Sequence, residues 1–225
     1  MRRSGGSRAI RIAALAAAVI VLVLVVAQIV LPRIAASRIS SRVGRYGHVE
    51  HVSVSAFPAI ELLWGDADSV EVKADSLTLE PGQAVSVLRE GSGVAHIDVS
   101  ARSLHAGKFA LTDAVLRKRG SQISAHAHAT RAAVGAALGP GIGVRLLGSG
   151  GGRVRVAATG SLFGAGATVT AVAESENGEL VVHPEGFLLE GFRLTLFKDP
   201  HLRIVGVAAT PDGSGYVLGL TALLR

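Results

Sequence analysis

Hydrophobic and polar positions divide the chain into a helical part and a strand-like part. From Ile12 to Leu31 it reads IAALAAAVIVLVLVVAQIVL, twenty residues of which only Gln28 is polar. At about 1.5 Å per residue, a helix of this length crosses the roughly 30 Å hydrocarbon layer of a bilayer. The next stretch, RIAASRISSRVGRY at 33–46, is amphipathic. Arg38, Arg42 and Arg45 recur at i, i+4, i+7, and Ile39, Val43 and Tyr46 form a neighbouring apolar stripe.

After Gly47 the period changes to two. Val52, Val54 and Ala56 alternate with Ser53, Ser55 and Phe57, and Val70 and Val72 alternate with Glu71 and Lys73. The phase then shifts near Asp75-Ser76 so that Leu77 and Leu79 carry on, which predicts a bulge. Further strands are expected at 94–101, 108–117, 121–129, 152–159, 166–174, 179–183, 187–197, 202–209 and 215–223. Turn residues separate many of them: Glu-Pro-Gly at 80–82, Asn177-Gly178, and the run from Pro211 to Gly215. Asn-Gly between two alternating runs predicts a two-residue hairpin. A short helix with Thr130 as its cap is expected at 130–138. The pattern is that of an α+β protein, mainly antiparallel β. Many strands, such as YVLGLTALL at 216–224, are apolar on both faces. Such a sheet needs cover on both sides, or lines an apolar cavity with one of them; with few helices available, the cavity is the favoured expectation.

Charge sharpens the organisation. Arg2, Arg3, Arg8 and Arg11 precede the apolar run with no acidic residue, an arrangement that keeps the N-terminus cytoplasmic. The expected layout is a basic tail at 1–11, a transmembrane anchor at 12–31, and one extracytoplasmic domain at 32–225. A cleaved signal peptide is the rival reading, and both export the rest. The net charge of +6 is local: eight arginines precede Glu50, the first acidic residue, and the remainder carries 15 basic against 17 acidic residues. With nine aromatics in 225 residues, neither charge nor stacking points to nucleic acid. Arg33, Arg38, Arg42 and Arg45 are instead candidates for contact with anionic headgroups at the membrane surface, or simply the solvated face of a first helix.

Enzymatic motifs are wanting. Cysteine is absent, so disulfides, thiolate metal sites and cysteine nucleophiles do not arise. The glycine-rich run from Gly139 to Arg153 lacks the Gly-Lys-Ser/Thr of a phosphate loop, and Leu146 stands where a dinucleotide fingerprint needs glycine; a flexible loop is expected there. His126 and His128 share a strand face but have no convincing third ligand, so no metal and no cofactor is expected. No serine sits in a nucleophile elbow.

The stretch VSVSAFPAIELLWGDADSVEV at 52–72 is more informative. A strand ends at Phe57-Pro58, an apolar segment runs to Trp64, Gly65 breaks it, and a valine-rich strand begins. Phe57, Pro58, Leu62, Leu63, Gly65, Val70 and Val72 resemble the pattern of the LmeA-like phospholipid-binding family, and the likeness continues loosely through Leu104–Gly120, the helix at 130–138 and the closing strands. The resemblance implies a non-enzymatic binder of phospholipid or glycolipid. It also implies a fold similar to tubular lipid-binding domains, a long curved sheet wrapped around a helix with acyl chains in an apolar groove. Phe57, Ile60, Leu62, Leu63 and Trp64 are the candidate lipid contacts. The alternative is an anchored scaffold that binds a protein partner through the same apolar face.

Overall fold

The computed structural model describes residues 6–57, 59, 62, 66–162, 165–186 and 191–225. They form an α+β domain, mostly antiparallel, with three helices. Helix α1 (Gly6–Val43) is followed by β1 (Gly47–Ser55), β2 (Ala67–Leu79), α2 (Pro81–Glu90), β3 (Val94–Ala106), β4 (Phe109–Arg119), β5 (Gln122–Thr130) and α3 (Arg131–Leu138). Strands β6 (Gly143–Gly150), β7 (Arg153–Leu162), β8 (Ala165–Glu176), β9 (Glu179–Glu185), β10 (Leu194–Phe197), β11 (Leu202–Asp212) and β12 (Gly215–Leu224) complete it. Seven strands form one sheet in the order β1-β2-β3-β4-β5-β12-β11, and five form a second in the order β10-β9-β8-β7-β6.

The larger sheet has one apolar face. Val54, Val70, Ile97, Lys118, Ile123, Ala222 and Ile204 are paired directly from strand to strand across all seven strands. Val52, Val72, Val99, Leu116, Ala125, Leu220 and Val207 form the adjacent row. Directly paired residues share a face, so these rows line one side of the sheet. The opposite face carries Ser53, Glu71, Asp98, Arg117, Ser124 and Thr221 in a row. In strands β1 to β5 the row is polar on one side and apolar on the other, while β12 keeps Val217 and Leu223 on the side of Thr221 and so stays apolar on both.

The inner face is covered by helices. Ile39 and Val43 of α1 pack on the cluster of Val70, Val72 and Ile97, while Val85 and Leu88 of α2 join Ile123, Leu202, Ile204 and Ala222. Helix α2 was masked in the sequence by Pro81-Gly82, which reads as a turn. Its N-terminus is fixed by the Gln83 side chain, which accepts from the Glu80 N–H at 2.9 Å. It serves as the crossover between β2 and β3, the parallel pair of the sheet.

Strand β11 joins the two sheets. Its Ile204 and Val207 N–H groups donate to the carbonyls of Gly178 (2.9 Å) and Gly152 (3.0 Å), and the Ser175 hydroxyl donates to the Ile204 carbonyl. A Cβ on Gly206 would lie 3.0 Å from the Gly152 Cα, so this crossing depends on glycine. The Gly139–Arg153 run expected as a loop contains β6, whose Val144 and Leu146 are hydrogen-bonded to the Tyr216 hydroxyl.

One expectation about the N-terminus is corrected. Helix α1 runs unbroken through Pro32 to Val43, leaving Arg45 in the turn beyond it. Among the described residues, no helix is long and apolar enough to cross a membrane, which overturns the single-pass placement with a cytoplasmic N-terminus and an extracytoplasmic domain. Helix α1 carries Arg33, Arg38 and Arg42 in its last three turns, so its C-terminal part is amphipathic.

Candidate functional site

The apolar inner face bends along one line. Beyond Ala74, Ala101 and Ala114 the buried side continues through Leu77, Leu104 and Leu111, which have the opposite parity. The phase changes at Asp75, Arg102 and Asp113, which drop out of pairing together, and β1 shows its own register shifts on either side of Val49. Asp113 adopts φ 49°, an uncommon conformation that bulges accommodate. Arg102 bonds to both Asp75 and Glu50, so opposite charges tie three strands along the bend. The phase shift predicted near Asp75-Ser76 is thus one member of a bulge line, and bulges curve a sheet.

On the inner face, the region nearest this line is floored by Ala74, Ala101, Ala114 and Ala127, all buried. Their methyl groups are short; Val43 of α1 packs on them, beside Val99, Leu104 and Leu111 of the sheet itself. Toward the other end of the strands the side chains lengthen to Ile97, Ile123 and Ile204.

Lys118 interrupts that longer row. It is 1% exposed, flanked by Ile97 and Ile123, and its ammonium donates to the Val94 carbonyl and reaches the Ser92 carbonyl at 3.5 Å. Burial lowers its pKa below the ordinary lysine value. Nothing in LRKRG singles out the middle basic residue except strand alternation, which places Arg117 and Arg119 on the polar side and Lys118 inside.

The sequence-predicted contacts separate. Phe57 is 80% exposed at the end of β1, its N–H held by the Asp68 carboxylate at 2.7 Å. Leu62 turns inward onto the cluster containing Val70, Val94 and Ile97. Ile60, Leu63 and Trp64 lie outside the described residues. Arg33, Arg38, Arg42 and Arg45 are all exposed, and Arg42 reaches across to Glu90 at the end of α2. His128 bonds to Asp212 at 3.0 Å, and among the described residues no three histidine or carboxylate groups converge to hold a metal ion.

No curated protein and no solved structure matches the chain. A family profile does: that of LmeA-like phospholipid-binding proteins, over residues 23–201. The match takes in α1 from residue 23 onward, the Phe57 segment, the bulge line, α2 and all strands from β1 to β10, and the chain therefore belongs to the LmeA-like phospholipid-binding family.

Proposed function

We propose that this chain binds phospholipid, or a glycolipid of similar chain length, with its acyl chains held on the inner face of the bent seven-stranded sheet. The observation that carries the reading is that face: two rows span all seven strands, every member apolar except Lys118. The alanine floor beside the bend keeps the sheet's side chains short there, so that displacing the cover would expose a smooth apolar surface to hydrocarbon. Membership of a phospholipid-binding family supports the same conclusion. Burial of a methylene from water contributes about 0.8 kcal/mol, so a chain of ordinary length gains enough to be retained.

In this reading, Phe57, Ile60, Leu62, Leu63 and Trp64 form the lip where lipid enters, and the exposed arginines at 33, 38 and 45 meet anionic headgroups as the protein loads. The protein is a carrier or holder of lipid, and catalysis plays no part. The test is uptake by the delipidated chain. Titration with phospholipid should saturate, native mass spectrometry should find lipid retained, and emission from Trp64, the one tryptophan, should shift to the blue. Uptake with unchanged emission removes Trp64 from the lip. A chain that takes up no lipid of any acyl length, yet forms a stable complex with a protein partner, sinks the proposal and favours a scaffold.

A further inference from the structure

The five-stranded sheet has two unlike sides. Val154, Ala173, Val182 and Leu194 are paired directly across β7, β8, β9 and β10, and Leu146, Val156, Ala171 and Pro184 across β6 to β9. Directly paired residues share a face, as do residues two apart on one strand, so these apolar rows lie side by side. The opposite side carries Arg153, Arg155, Glu174, His183 and Glu185, joined by ion pairs.

The apolar side is not closed over. Strand β11 meets the sheet at the Gly152 and Gly178 turns and α3 lies against β6, but among the described residues no helix packs along β7, β8 or β9. Val154 and Ala171 are buried, whereas Val156, Ala173, Val182 and Pro184 are half-buried. Exposure grows toward the free edge, where Leu194 is 49% and Phe192 64% exposed. Arg193, between them, turns to the opposite side and reaches Glu176 and Glu179. By alternation, Phe192 stands with Leu194 on the apolar side.

Two serines also belong to this side, and both are engaged. The Ser175 hydroxyl donates to the Ile204 carbonyl, and the Ser149 hydroxyl oxygen accepts from the Ala209 N–H at 2.9 Å. What remains is hydrocarbon, with no polar side chain free to select a headgroup or a polar partner. The surface is also continuous with the inner face of the seven-stranded sheet. At its far end Leu180 and Phe197, paired on the same side, pack on the cluster of Leu88, Leu202, Ile204 and Ala222. Both apolar rows lie within the residues matched by the family.

We infer that one acyl chain of the bound lipid lies along the apolar side of the five-stranded sheet, while the other lies on the inner face of the seven-stranded sheet. The inference rests on the lipid-binding reading and divides its ligand between the two sheets.

The test uses the full chain and phosphatidylcholine made in two versions, with a photoactivatable diazirine midway along one acyl chain or the other. After loading and illumination, peptide mapping should place cross-links from one version on β6 to β10 and from the other on the seven-stranded sheet. Phe192→Glu/Leu194→Glu alters two exposed side chains, so it should unfold at the wild-type temperature. It should bind diacyl phosphatidylcholine about tenfold more weakly, yet bind lysophosphatidylcholine, which has a single chain, as wild type does. Thr195→Gln, exposed on the polar side of β10, should change neither affinity. Cross-links from both versions confined to the seven-stranded sheet overturn the inference and leave lipid binding standing. So does an unchanged diacyl affinity in the double variant. If that variant instead changes oligomeric state at unchanged affinity, the apolar side is a contact between copies and the inference is overturned as well. Failure of wild type to take up either lipid removes the lipid-binding reading, and this inference with it.

Discussion

Single residues set two measurable thresholds. Lys118 has a lowered pKa because it is buried. Between its folded and unfolded values the unfolded chain binds more protons, so stability rises with pH through that window. Urea unfolding followed from neutral pH into the ordinary lysine range should show this rise in wild type and lose it in Lys118→Met. A rise of equal size in the variant would assign it to another group. Gly135 gives a reversal of sign. In a helix, alanine is ordinarily favoured over glycine by about 1 kcal/mol. In α3, however, a Cβ at this position would sit 2.0 Å from the Ile142 carbonyl oxygen, so α3 and the start of β6 would have to part. Gly135→Ala should therefore destabilise, by about 1–3 kcal/mol. A stabilised variant in thermal unfolding would show that the contact is not maintained.

At the scale of elements, α2 and β10 carry the clearest expectations. Leu88 is buried against strands β5, β11 and β12. Leu88→Ala should cost about 2–5 kcal/mol, read as a lower denaturant midpoint with little change in slope. Strand β10 is short and lies at a sheet edge, where Lys198 and Arg193 pair with Glu179 of β9. The Lys198 hydrogen bond and the two positive charges hold the Glu179 pKa below its ordinary value. That contribution is present above the ordinary carboxylate range and disappears as pH falls through the folded value. Lys198→Met should move the acid unfolding midpoint upward, and an unmoved midpoint would show that the clasp adds nothing. These elements also show what the sequence made legible. Period-two alternation located most strands, Asn177-Gly178 forms its hairpin with both residues at positive φ, and Thr130 caps α3 through the Ala133 N–H. Helix α2 was missed because Pro-Gly signals a turn as readily as a helix start, although Gln83, Val85, Leu88 and Gly91 carried the helical pattern. Strand β6 was hidden by glycine, which weakens every local strand signal. Of the candidate site, the inward position of Leu62 and the outward one of Phe57 depend on packing that local pattern does not encode.

The whole molecule is held together by its last two strands. Strand β12 sits between β5 and β11, and β11 in turn bonds to the second sheet, so residues 202–225 complete one sheet and attach the other. The family match ends at residue 201. A chain cut there should lose cooperative unfolding and bind a hydrophobic dye, since Ile123 and Leu88 would lose Leu202, Ile204 and Ala222 as cover. Retention of a sharp transition would mean that the first sheet is self-sufficient. The same placement has a kinetic consequence. Strand β5 ends at Thr130 and waits for β12, which begins at Gly215, so the sheet closes only through contacts between residues remote in sequence. Closure of this kind slows folding, and until β12 arrives β5 presents an unpaired edge able to template aggregation. During synthesis that interval lasts while the whole second sheet is being made. At about 5–20 residues per second, the nascent chain carries an open edge for several seconds, and a binding chaperone would have the most to protect in that period.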